Sequence, residues 1–110
     1  MWYNMAMKIL IDADGCPVVD LTLQAAAEHG LEAILFCDTS HEFKEKNARV
    51  VTVDKGSDSA DFALIRQVKP GDIVVTQDYG LAAMVLAKRG YPITQNGKRL
   101  TDANIDTLLL

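Results

Sequence analysis

Five short apolar runs, separated by stretches with helical signals, constrain this chain more than any other feature. Residues 8–12 (KILID), 31–37 (LEAILFC), 50–53 (VVTV), 73–76 (IVVT) and 91–94 (YPIT) are rich in aliphatic and β-branched side chains. They are too short for helices, so each reads as a strand. Pro17 suits a first helical turn, and Val18, Leu21, Leu23, Ala25 and Ala26 continue that helix to a stop at Gly30. Gly56 makes a turn, and Ser57 or Asp58 caps a helix running to about Val68, with Phe62, Ile65 and Val68 on its buried face. Lys69-Pro70-Gly71-Asp72 is a breaker. A third helix spans Leu81 to Lys88 and is ended by Gly90, and Thr101-Asp102 caps a last one. The polar stretch from Asp38 to Arg49 reads as a loop with a helical turn. Strands alternating with helices predict a three-layer α/β/α fold with a mostly parallel sheet of four to five strands. Pro92 places the fifth strand at an edge.

The length of 110 residues suits one domain, 1–110, with an adequate core. The chain stops on Leu108-Leu109-Leu110. Either these leucines pack on the core, or the natural protein continues beyond them. As an apolar end they also permit a homodimer face. No apolar run approaches the ~20 residues that span a membrane. The start, MWYNMAMK, lacks the features of a signal peptide, so a cytoplasmic protein is expected. Cys16 and Cys37 each follow a strand. A disulfide between them is geometrically conceivable, and two small buried thiols are the simpler expectation.

The net charge of −4 argues against a protein that coats nucleic acid, which needs a basic face. The acids are uneven, with eleven Asp against four Glu. Asp is a poor helix former that favours caps, turns and metal loops. Five of the aspartates belong where a parallel sheet would gather them: Asp12 and Asp14 after the first strand, Asp58 and Asp61 at a helix start, and Asp78 after the fourth strand. In open parallel sheets the functional crevice lies outside the carboxyl ends of the strands. Carboxylates gathered there repel one another unless a cation or proton compensates.

Asp12 and Asp14 sit at i and i+2, on one side of an extended segment, and can share one hard cation such as Mg²⁺ or Mn²⁺. Asp58 and Asp61 sit at i and i+3, on one face of a first helical turn whose positive end favours anions. Each of these acids also has an ordinary role open to it, as a helix cap or an N-terminal charge. Ser57 and Ser59 could meet a phosphate or a metal water, or act as caps. Thr76 and Gln77, which precede Asp78, are weaker candidates. Lys55, Lys88, Arg89, Lys98 and Arg99 are candidate phosphate contacts with equally ordinary solvated readings. His41 reads as a loop histidine that could serve as a base, and His29 as a helix-end residue suited to the dipole. The chemistry that needs carboxylates alone is metal-assisted hydrolysis of a phosphodiester. No nucleophile elbow, Ser/His/Asp triad or Walker lysine loop is present.

The strings ILIDADGCPV, VDKGSDSADFALI, GDIVVTQDYGLAAMVLAKRG and TDANID resemble the bacterial YaiI/YqxD family, and together they cover most of the chain. That family looks like a member of the PIN-like nuclease group, whose acids follow the first strand, sit on a middle helix and follow the fourth strand. The resemblance implies a PIN-like domain, catalytic Asp12, Asp61 and Asp78, and metal ligation by these with Asp14 and Asp58. It implies Mg²⁺ or Mn²⁺ as cofactor and single-stranded RNA as partner, with Lys55, Ser57, Thr76, Lys88 and Arg89 as candidate substrate contacts. Family members usually run on for some tens of residues with further basic positions. Two other classes of function stay open. One is a non-catalytic RNA- or protein-binding module with an acidic pocket. The other is a haloacid-dehalogenase-like phosphatase, suggested by Asp12-Ala13-Asp14-Gly15. A receiver-like phosphoacceptor domain fits poorly, because Asp54 and Lys98 stand in the wrong places.

Overall fold

The computed structural model describes residues 7–14, 16–38, 48–53 and 59–109. Their elements run β1 (Lys8–Asp12), α1 (Val19–Glu28), β2 (Glu32–Cys37), β3 (Arg49–Thr52), α2 (Ala60–Gln67), β4 (Ile73–Val75), α3 (Tyr79–Ala87), β5 (Tyr91–Ile93) and α4 (Asp102–Leu109). The five strands form one sheet in the order β3-β2-β1-β4-β5. Every neighbouring pair is parallel, with Ile11 opposite Leu35 on one side and Val75 on the other. The Asp38–Arg49 loop and the Gly56 turn fall largely outside the described residues.

Side chains alternate across a strand, so each strand of this sheet feeds two cores. Ile9, Ile11, Leu35, Cys37 and Val75 face α1, where Val19 and Ala26 meet them. Leu10, Ile34, Phe36 and Val74 face the opposite way, onto Ala63, Leu64 and Val68 from α2 and its end and onto Leu81 and Val85 of α3. α4 packs on the far side of α3 through Ala82, Leu100 and Ile105. The result is the expected three-layer α/β fold. β5 is an edge strand, as Pro92 implies. Cys16 and Cys37 are thiols and not a disulfide; Cys37 is buried and Cys16 only half-buried. No helix among the described residues is long and apolar enough to cross a membrane.

Several local expectations are corrected. α1 begins at Val19 rather than Pro17 and has no side-chain cap. Pro17 and Val18 form a turn instead, after Cys16 N–H has already closed on the Ala13 carbonyl at 3.0 Å. α2 is capped by Ser59, whose Oγ accepts from Phe62 N–H at 3.2 Å. With that start, Ala63 and Leu64 turn to the core and Phe62 is left 56% exposed. α3 begins at Tyr79 and ends in a Schellman motif whose left-handed residue is Arg89 (φ 66°), not Gly90. Arg89 N–H bonds the Leu86 carbonyl and Gly90 N–H the Val85 carbonyl. Gly90 is required for space. A Cβ there would lie 2.7 Å from Val85 Cγ1 and 3.2 Å from the Asp72 carbonyl. Thr101 and Asn104 cap α4 reciprocally: Thr101 N–H donates to Asn104 Oδ1 at 2.9 Å, and Asn104 N–H donates to Thr101 Oγ1 at 3.3 Å.

Asp72, read from sequence as part of a breaker, is only 2% exposed. Its carboxylate accepts from Lys8 Nζ at 2.6 Å, Lys8 N–H at 3.1 Å and Lys69 N–H at 2.8 Å. This ties the amino end of β1 to the amino end of β4. Replacing Asp72 by Ala leaves a half-buried ammonium and two amides unpaired. We expect a loss of about 2–4 kcal/mol in urea-unfolding free energy. Gly90→Ala should also destabilise, by about 1–3 kcal/mol, because a backbone carbonyl and two packed valines must yield.

Candidate functional site

The strand order places β1 between β2 and β4, and the chain leaves β1 toward one edge and later returns to build the other. That junction is the topological switch point of the sheet, where a crevice opens at the carboxyl ends of the strands. Asp12 is the last residue of β1 and is half-buried beside Thr76, which follows β4 and is 2% exposed. The Thr76 hydroxyl donates to Asp12 Oδ2 at 2.9 Å and accepts from Asp78 N–H at 3.0 Å. One buried hydroxyl thus fixes the first acid against the backbone that carries another. Asp78 caps α3, accepting Leu81 N–H on Oδ1 at 3.1 Å.

Asp61 stands in the first turn of α2. Its carboxyl is within hydrogen-bonding reach of the Asp78 side chain and feels the charges of Asp12 and Asp78. Burial first, then these like charges, push it up from the ordinary carboxylate range to about 6. Asp12 is raised as well, chiefly by burial; the Thr76 hydrogen bond opposes this, and the charges of Asp78 and Asp14 add to it. Asp14 does not cap α1. Its Oδ2 accepts from Asp38 N–H at 2.7 Å and so clasps the exit of β2. A cavity of about 60 Å³ opens beside Asp12 and Asp14, bounded further by Cys16, Val75, Thr76, Gln77 and Gln95.

Asp12, Asp14, Asp61, Asp78 and Thr76 are therefore brought to one crevice from three separate parts of the chain. Lys55, Ser57, Asp58 and His41 lie outside the described residues. Lys88 and Arg89 are carried away from the crevice, since α3 is capped by Asp78 and runs toward the other end of the sheet. Lys88 Nζ donates to the Ile65 carbonyl at 2.7 Å, and the Arg89 carbonyl accepts from Gly71 N–H at 3.0 Å, beside the entrance to β4. Arg99 lies over the Tyr91 ring at 5.0 Å. Sequence reasoning missed Gln95, whose N–H donates to Gln77 Oε1 at 2.7 Å and joins the carboxyl ends of β4 and β5 at the cavity. Two amides following two parallel strands were the available signal.

Every candidate ligand is a carboxylate or hydroxyl oxygen, the donor set preferred by Mg²⁺ and Mn²⁺. Among the described residues, none of Asp12, Asp61 and Asp78 forms an ion pair. Nor are three acids, histidines or cysteines there drawn together as a complete cation cage. A full cage is not required for Mg²⁺, which keeps several waters and is usually held by one or two carboxylates together with substrate phosphates. The donor chemistry present is thus of the kind that suits a hydrated divalent ion bound through one or two carboxylates.

The raised Asp61 acid gives a signed prediction. Its folded form binds a proton more tightly than an ordinary Asp near 3.8, so its stabilising contribution is complete below 3.8 and is lost as pH rises through about 6. Asp61→Asn removes that loss. The variant's unfolding midpoint should gain on the wild type between about pH 4 and 6 and then run parallel above it. Urea melts across that range check this, and a constant difference between the two proteins would contradict it. Thr76→Val should lower stability by about 1–3 kcal/mol in the same melts, because Asp12 loses its donor and Asp78 N–H its acceptor.

The sequence profile of the family described as "Uncharacterized BCR, YaiI/YqxD family" matches residues 10–110. A "UPF0178 protein" from Exiguobacterium sibiricum is 55% identical over 103 residues, covering 94% of this chain and 70% of that protein. Proteins of the same description from Alkaliphilus oremlandii (50% over 104 residues) and Ruminiclostridium cellulolyticum (52% over 103) are each matched over 94% of this chain and 67% of their own length. No solved structure matches. The chain belongs to the YaiI/YqxD family.

Proposed function

We propose that this chain is the core of a divalent-metal-dependent, PIN-like nuclease that hydrolyses phosphodiesters, with single-stranded RNA as its substrate class. The observation that carries the reading is the convergence of Asp12, Asp61 and Asp78 at the switch point with no basic side chain neutralising them among the described residues. Keeping like charges together has an electrostatic cost, and a cation or a shared proton is what offsets it. A bound Mg²⁺ or Mn²⁺ would polarise the phosphoryl oxygens and make a bound water a better nucleophile.

The chain's own groups divide the remaining work. Asp12 and Asp78 would hold the ion, with Asp14 at the rim. The Thr76 hydroxyl keeps the Asp12 carboxylate turned into the crevice. Asp61, pushed up to about 6, exchanges a proton near neutral pH, which suits a group that must take one from water and return it. Gln77 and Gln95 at the cavity rim can hydrogen-bond the nucleotide beside the scissile phosphate.

Titrating Mn²⁺ into the protein calorimetrically, with Asp12→Asn and Asp78→Asn alongside, tests the site. Saturable binding should weaken in both variants by roughly 100-fold or more, because even outer-shell partners of a metal ligand are worth about 10–100-fold. Mn²⁺-dependent cleavage of end-labelled single-stranded RNA should vanish in Asp12→Asn with its unfolding midpoint nearly unchanged. Binding of Mn²⁺ and RNA without cleavage would replace this reading by the non-catalytic module. Turnover of a phosphomonoester alone would replace it by the haloacid-dehalogenase-like one.

A further inference from the structure

The two faces of the sheet are covered unequally. α2 and α3 lie over one face, while among the described residues α1 alone lies over the other, above β1 and β2. Strands of a parallel sheet are normally covered on both sides. Beside α1, the face of β4 and β5 is left as a groove of about 620 Å³. Leu21 and Ala25 of α1 flank it, Ile73, Val75 and Ile93 line it from the sheet, and Met7 borders it ahead of β1. Leu21 is 66% exposed and Met7 40%. Among the described residues, no Phe, Tyr or Trp lines the groove, and its lining there is mainly aliphatic. Its shape and lining match the missing half of a helical layer.

The relatives contain material for that layer. The aligned residues make up 70% of the Exiguobacterium protein and 67% of the Alkaliphilus one, so close to a third of each lies outside them. We propose that the groove seats an amphipathic α-helix from that unaligned part of the family's polypeptide, which completes the second helical layer over β4 and β5. Such a helix presents about three to four apolar side chains per two turns, and these lie between α1 and the strands.

The test uses the 110-residue chain and synthetic peptides spanning the unaligned part of the Exiguobacterium protein. One peptide should bind saturably, gain helical circular dichroism and raise the unfolding midpoint by roughly 4 °C or more. Leu21→Glu changes an exposed wall residue and leaves the fold intact; it should weaken that binding by about tenfold or more. Ala25→Arg should do the same independently. Absence of binding by every peptide, or binding indifferent to both substitutions, overturns the proposal. Sedimentation supplies a further arm: a dimer of the chain alone that Leu21→Glu dissociates would make the occupant a second copy, and that also overturns it.

Discussion

The pairing of β1 with β4 is the constraint on which the rest of this molecule depends. It joins residues 64 positions apart, and side chains lock it at both ends. At the amino ends the buried Asp72 carboxylate holds the Lys8 ammonium and amide. At the carboxyl ends the Thr76 hydroxyl holds the Asp12 carboxylate. The first lock brings opposite charges together, and in a buried setting it is costly to break. The second brings an acid to a neutral donor and leaves its charge uncompensated. The two ends of one strand pair therefore have opposite electrostatic characters: one is satisfied, the other open to a further partner.

That difference separates the buried ion pair from the candidate functional acids along the sheet. At the amino ends the buried Asp72 carboxylate is consumed by structure. Carboxylates at the carboxyl ends have structural duties too. Asp78 spends one oxygen on the α3 cap, and Asp14 spends one on the exit of β2. Asp12 and Asp61 stand in the crevice as well, where burial and mutual repulsion make their charged forms expensive. An acid that serves as a helix cap is also held rigidly, which is what a positioned ligand or proton carrier needs.

The legible parts of the sequence were those governed by local rules. Aliphatic runs located all five strands, and aspartates after the first and fourth led to the crevice. Pro92 marked an edge. What escaped depended on distant partners. Nothing near Asp72 says that its counter-ion is Lys8, because that contact exists only once β1 and β4 lie side by side. Phe62 looks like a core residue on a helical wheel, but packing on the sheet turns Ala63, Leu64 and Val68 inward and leaves the ring outside. Arg89 occupies a left-handed position beside a glycine that invites the same reading. Gly90 is instead held by the closeness of Val85 and the Asp72 carbonyl, which only the packed structure supplies. Lys88 and Arg89 looked like phosphate contacts until the direction of α3 carried them to the other end of the sheet.

The treatment of the β5 edge has a consequence for assembly. After β5 the chain turns back, and Ile93 bridges Arg99 in antiparallel fashion while Leu100 N–H donates to the Pro92 carbonyl at 2.9 Å. The backbone groups that would invite another strand are thus taken by the molecule itself, and proline has no amide to offer. Among the described residues the opposite edge, β3, has no such cover on its outer side. At the β5 flank of the sheet, strand addition by another polypeptide, whether in misassembly or in exchange between copies, is closed off.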